Sequence, residues 1–335
     1  MKKILAAAMA LVLAMSMTAC SQGASNSSSS AASGSGSAAG SDASDGGYQF
    51  TGTVTITVPF NAGSNTDSQV RFIQPYLEKH LGVNTVVVNA GGASGTIGTT
   101  DFLGQNADGT NILFSLPTPT VYKPAGGDTE YTVDDLIPVA QVSASPFYMA
   151  VSAENKDFTD GASLLEYIKA NPGKFTYANA GNGGIAHLAF ASFLKAEGLD
   201  ALSVPFTGGT AVMGGHVMGH AVSEPDLVGR TDYNVLINLG TKSTTPGFEN
   251  IPTLAELGYE GYCTDTFAGF YYMKGVDQAA VDAFDAAVKA TLEDPDFQKA
   301  AEEANFGYNY ANSADFTDMI HNTVELITPV LAELG

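Results

Sequence analysis

The stretch Val54 to Arg71, VTITVPFNAGSNTDSQVR, most narrows what this chain can fold into. Val54, Ile56 and Val58 alternate with Thr53, Thr55 and Thr57, the period of two that a strand requires, and Pro59 ends it. Beyond Asn61-Ala62-Gly63-Ser64-Asn65-Thr66, the apolar Val70, Ile73, Leu77 and Leu81 recur at three- and four-residue steps up to Gly82. That spacing predicts a helix starting near Asp67, with Asn65 or Thr66 as its cap. A strand-end loop entering a helix leaves backbone N–H groups unpaired at the positive end of the helix dipole, a seat for a carboxylate or phosphate. The same pattern also fits an ordinary strand-to-helix turn.

The order repeats. Thr85 to Val88 reads as a buried strand, followed by the loop Asn89 to Gly98, a helix to Leu103, and a third strand over Asn111 to Ser115. Strand, loop and helix in this alternation give a parallel α/β sheet, whose ligands sit outside the carboxyl ends of the strands. Gly104 to Thr110 and Pro117 to Asp134 read as loops, and Pro138 to Val151 as a strand leaving a first domain. Ser163 and Glu166 form a capping-box pattern that opens a second domain. There Phe175 to Leu194, FTYANAGNGGIAHLAFASFL, again sets a short strand before a Gly/Asn loop and an apolar helix. His187 stands one turn into that helix, placed either to reach a ligand or to orient the loop.

The chain opens with Met1-Lys2-Lys3 and an apolar run from Ile4 to Met17, too short for a permanent span and shaped like a signal peptide. Met17-Thr18-Ala19-Cys20 resembles the bacterial lipobox, which implies a lipid-modified Cys20 held at a membrane surface. Ser21 to Gly47 is nearly all Ser, Gly, Ala, Asn and Asp and reads as a flexible tether. Cys263 is the other cysteine, so with Cys20 acylated no intramolecular disulfide is expected. A formal charge of −21 argues against nucleic acid. With Arg71 and Arg230 the only arginines, an anionic ligand must be held mainly by backbone and hydroxyl dipoles.

Several motifs point elsewhere. Gly181-x-Gly183-x-x-Ala186 fits a relaxed dinucleotide fingerprint, but the next strand, Leu199 to Val204, ends in Pro205-Phe206 without the acid that would hold a ribose. His216 and His220 have the spacing of a helical metal pair, yet Gly214, Gly215 and Gly219 argue against a helix, so neither metal nor cofactor is expected. Thr253 and Glu256 form another capping box. Phe267, Phe270, Tyr271 and Tyr272, on a strand over Asp265 to Met273, are read as core rather than cleft lining. Two helices are predicted from Val281, Phe284, Val288 and Leu292, and from Phe316, Ile320, Val324, Ile327 and Leu331.

Taken in order, the motifs resemble a family. Val58-Pro59-Phe60-x-Ala62-Gly63-x-x-x-Asp67-x-x-x-Arg71, Asn89-x-x-Gly92-Ala93-x-Gly95-x-Ile97-Gly98 and Ala107-Asp108-Gly109 are followed by Asn171-Pro172-Gly173-Lys174, Gly181-Asn182-Gly183, His187-Leu188, Val204-Pro205-Phe206-x-Gly208, Gly214-Gly215-His216-Val217 and Ile251-Pro252-Thr253-Leu254. Together they resemble the solute receptors of tripartite tricarboxylate transporters, the TctC or Bug proteins. The resemblance implies an α/β, two-domain periplasmic-binding-protein-like fold of type II. Each domain would be a mixed sheet flanked by helices, with the ligand cleft between them. By position, residues 1–19 are the signal peptide, 20–47 the lipidated cysteine and linker, 48–150 with 267–335 the first domain and 151–266 the second. Crossovers are placed near Ala150 and Phe267.

The resemblance further implies a receptor, not an enzyme, that closes on a di- or tricarboxylate or related organic acid. It would act as a lipid-anchored monomer outside the cytoplasm, passing the solute to large and small permease subunits (TctA- and TctB-like). Carried over by position, the ligand contacts are Phe60, Asn61, Ala62, Gly63, Ser64, Asn65, Thr66 and Asp67 on one side. On the other they are Asn179, Ala180, Gly181, Asn182, Gly183 and His187, with Phe206, Thr207 and Gly208 closing on the distal end. Ser64-Asn65-Thr66 replaces a glycine-rich continuation and Thr207 stands where many relatives carry Lys. The alternatives are a secreted hydrolase, for which no GxSxG elbow is visible, and a receptor for a neutral solute such as a sugar, which the absence of Trp disfavours.

Overall fold

The computed structural model describes residues 48–334 except 180, 182, 207, 208 and 305, so the signal segment, Cys20 and the linker lie outside the described residues. The alternating segment forms β1 (Val54–Val58), with Val54, Ile56 and Val58 buried. Helix α1 (Asn65–Leu81) begins ahead of the predicted start. Its cap is Ser64, not Asn65 or Thr66; the Ser64 hydroxyl accepts the Asp67 N–H at 3.2 Å. The apolar period begins only at Val70, which hides this first polar turn.

Strands β2 (Thr85–Asn89) and β3 (Asn111–Ser115) flank β1 in parallel, with α2 (Thr96–Leu103) between them in sequence. The predicted loop over Pro117 to Asp134 instead contains a π-helical turn (Thr118–Tyr122) and α3 (Lys123–Ala125). Pro119 and Pro124 each fall in a first turn, where no N–H is needed, so these prolines start helical turns instead of breaking them.

The 17-residue β4 (Leu136–Ser152) runs through both halves of the sheet. Leu136 to Pro146 pairs antiparallel with β9 (Asp265–Met273), and Phe147 to Ser152 with β7 (Gly219–Ser223) and β8 (Tyr233–Asn238). Strands β5 (Thr176–Asn179) and β6 (Leu202–Pro205) complete the order β2-β1-β3-β9-β4-β7-β5-β6, with β8 against β4. Strand β6 starts later than predicted because the Leu199 N–H is spent on the Leu194 carbonyl, closing α5 (Ile185–Ala196).

Helix α4 (Gly161–Ala170) is capped by Asp160, which receives the Ser163 N–H at 2.8 Å while the Ser163 hydroxyl receives that of Asp160 at 3.2 Å. Ser163 therefore closes the box instead of starting it, and Glu166 lies a turn beyond it. Thr253 and Glu256 do make the reciprocal pair, at 2.9 and 3.2 Å, but the chain turns at Gly258 instead of extending a helix. Short α6 (Thr210–Met213) and α7 (Glu224–Leu227) edge the second half, and α8 (Gln278–Leu292), α9 (Pro295–Ala304) and α10 (Ser313–Leu334) return the chain to the first.

One buried apolar cluster joins β1, α1 and β3 to β9, α8 and α10, and includes Phe267, Phe270, Tyr271 and Tyr272, each at most 2% exposed. Two others, built from residues between Phe147 and Leu254, fill the second half. The described residues form one compact unit. Strands β1, β2 and β3 end at the same edge at which β9 begins, and β5 to β8 all end at the Phe147 side of β4. The carboxyl ends of both sets therefore converge where Pro146 pairs with Asp265.

Candidate functional site

The first loop is held by a carboxylate of its own helix. Asp67, 3% exposed, accepts the Gly63 N–H at 2.8 Å, the Arg71 guanidinium at 2.8 Å and the Asn89 amide at 3.0 Å. Asn89, at the end of β2, also donates to the Phe60 carbonyl at 3.2 Å and accepts from Arg71 at 3.0 Å. Burial alone would raise the Asp67 pKa, but the bonds from Arg71, Gly63 and Asn89 outweigh it and hold the carboxyl below its ordinary range. So Asp67 and Arg71 build the loop, and the positive dipole end of α1 is already partly compensated. With Asp67 N–H on Ser64, the N–H groups of Asn65 and Thr66 are the turn's remaining donors among the described residues. Asn61, Ala62, Gly63 and Asn65 are exposed, Phe60 and Ser64 half-buried, and Thr66 buried. Helix α2 presses on the same corner: a Cβ at Gly98 would lie 2.1 Å from the Ala90 carbonyl oxygen and 2.9 Å from Pro59 Cα.

The second loop uses an amide and an imidazole. Fully buried Asn179 donates to the Ser203 hydroxyl at 2.6 Å and accepts the Gly181 N–H at 2.7 Å, and its carbonyl takes the Phe206 N–H at 2.8 Å. His187, 5% exposed, accepts the Gly183 N–H on Nδ1 at 3.2 Å. Burial lowers its pKa, so the ring is neutral and carries its proton on Nε2. Helix α5 has Gly184 at its N-cap and, among the described residues, no side-chain cap, unlike α1, an arrangement that suits an anion at its positive dipole end. Gly181 has φ +146°, a conformation that side-chain-bearing residues rarely adopt. Ala180, Asn182, Thr207 and Gly208 lie outside the described residues.

The expected contacts among the described residues fall in two networks, Phe60 to Asp67 in one and Asn179, Gly181, Gly183 and His187 with Phe206 in the other. No hydrogen bond joins the two networks among the described residues. The motifs include Arg71 and Asn89 but sequence reasoning leaves both out of the site; the four-residue spacing of Arg71 from Asp67 is the available signal, and Asn89 and Ser203 carry none. His220 lies on β7, bonded to the Tyr233 hydroxyl at 2.8 Å, and His216 in the turn before it.

A curled mixed sheet with helices around it and small-residue loops at converging strand ends is the architecture of periplasmic solute-binding proteins, as the resemblance implied. The chain belongs to the tripartite tricarboxylate transporter receptor family, whose model matches residues 69–335. A Pseudomonas sp. (strain P51) protein, described as a UPF0065 protein in the tcbD-tcbE intergenic region, is 29% identical over 258 residues, covering 75% of this chain and 76% of that one. The crystal structure of a TctC solute binding protein from Polaromonas, without ligand, is similar at TM-score 0.76 and 26% identity, over 84% of this chain and 99% of that one. An R. palustris protein solved with adipate has the same fold at TM-score 0.60 and 23% identity, over 84% and 98% of the two chains. Among the described residues, no helix is long and apolar enough to cross a membrane.

Proposed function

We propose that this chain is an extracytoplasmic receptor that captures a small carboxylate and passes it to membrane permease subunits without chemical change. The carrying observation is the start of α5, where Asn179 accepts the Gly181 N–H, His187 accepts that of Gly183, and no side chain among the described residues caps the helix. A carboxylate there would meet the free N–H groups of α5, with Asn65, Thr66 and the exposed Asn61 to Gly63 closing from the other side. Adipate in the R. palustris relative supports the ligand class.

The division into two lobes belongs to the same proposal. β4 changes partners between Pro146 and Phe147 and β9 begins at Asp265, a few residues from the crossovers near Ala150 and Phe267 expected from sequence. Bending there would bring the two loops onto one ligand. A lipid on Cys20, followed by the Ser/Gly-rich tether, would keep the receptor near its permease while leaving it free to reorient.

The test is thermal unfolding with citrate, malate, succinate, aspartate, hexanoate, benzoate and neutral sugars. A ligand at a hundredfold excess over its Kd adds roughly 2.7 kcal/mol of stability. A rise in melting temperature with a carboxylate supports the proposal, and a rise with sugars alone overturns it.

A further inference from the structure

We infer that the cleft takes a monocarboxylate with an apolar body and turns away a second carboxylate. The inference rests on the receptor reading above and adds the chemistry of the solute's far end.

The strand ends of both halves meet at the Pro146–Asp265 pair, and the groups buried there are acids and hydroxyls. Asp265, 4% exposed, accepts the Thr241 N–H at 3.0 Å and its hydroxyl at 2.7 Å. Glu224, 8% exposed at the end of β7, accepts the Tyr148 hydroxyl at 2.6 Å and that of Thr245. The Tyr122 hydroxyl is buried with no hydrogen-bond partner among the described residues. The cations of the neighbouring loops are spent: Arg71 on Asp67, Lys123 on Asp128 and Lys242 on Glu256.

A monoanion needs only the N–H groups of the two loops. A dianion brings a second charge toward two buried carboxyls, and a weakly screening interior strengthens that repulsion. The rim has a different character. Ile97 at the start of α2 and Phe206 just after β6 are 51% and 41% exposed, apolar side chains left in water beyond the ends of the two edge strands, β2 and β6. They gain by covering hydrocarbon and gain nothing from a polar chain.

Hexanoate and adipate share a six-carbon chain and differ by one carboxylate, so calorimetric titration of the full chain with each isolates the second charge. Hexanoate is expected to bind at least about tenfold tighter than adipate. Glu224→Gln and Asp265→Asn keep the shape and remove an ionisable carboxyl, and each should narrow that ratio by raising adipate affinity. Phe206→Ala, at an exposed position, should weaken hexanoate. Adipate binding as tightly as hexanoate, or malate or citrate binding where hexanoate does not, overturns the inference and leaves the receptor reading standing. A hexanoate preference that neither acid variant narrows overturns it too. If no carboxylate binds, the receptor reading fails and this inference with it.

Discussion

The Asp67 carboxylate accepts the Gly63 N–H at 2.8 Å across one turn of chain, so helix α1 supplies the anion that shapes the loop before it. Replacing Asp67 with Ala leaves the Gly63 N–H and the Arg71 and Asn89 side chains without their acceptor. A loss of about 1–3 kcal/mol is expected in chemical denaturation, with weaker carboxylate binding. Asp67→Asn should lie between wild type and Ala, because an amide oxygen still accepts but carries no charge. Equal stability of wild type and Asp67→Ala would show that the loop keeps its shape without this bond.

His187 gives the second loop a pH limit. Its pKa is lowered by burial, so its contribution to stability is present above the ordinary histidine range and is lost as pH falls through the depressed value. Protonated Nδ1 cannot accept the Gly183 N–H, so carboxylate affinity should hold at neutral pH and drop in acid. His187→Ala, lacking one neutral hydrogen bond, should bind roughly fivefold more weakly at pH 7. Calorimetry from pH 5 to 8 checks both.

Asp265 and Asp294 pull stability in opposite directions. Burial raises the Asp265 pKa, so its contribution is complete below the ordinary carboxyl value and declines as pH rises through the raised one. Asp294 accepts Lys79 at 2.7 Å and His80 at 2.9 Å, bonds that lower its pKa, and its contribution is lost as pH falls below the ordinary range. Melting temperature should therefore peak in mild acid. Asp265→Asn should flatten the decline on the neutral side, and Lys79→Ala should shift the acid limb upward in pH.

Gly181→Val tests the second loop from the backbone. A Cβ there meets nothing within 4 Å among the described residues, which leaves room for it, but φ +146° does not suit a β-branched residue. The loop must rearrange and release the Asn179–Gly181 bond. Carboxylate binding is expected to vanish while the melting transition stays cooperative, and unchanged affinity would remove this loop from the site.

What the sequence made legible was periodic. The alternation in β1, the aromatic run of β9 and the apolar spacing of α8 and α10 announce elements because burial imposes a period on them. The cap at Ser64 and the start of α4 at Asp160 escaped because first turns are polar, and no apolar period marks them. The helical turns after Thr118 were hidden by prolines, which serve a first turn as readily as they end a strand. At the site, glycines and asparagines pointed to the loops. That Asn89 reaches back to Asp67 and Phe60, and that Asn179 reaches Ser203 on another strand, depends on contacts between segments that no local spacing encodes.

Hydrogen exchange read by mass spectrometry, with and without a saturating carboxylate, addresses most directly the claim that both loops hold one ligand. Slower exchange is expected, on the same addition, in peptides covering Phe60 to Ser68 and Asn179 to Leu188. Protection of only one of these segments, or of neither while binding is saturated, would contradict it.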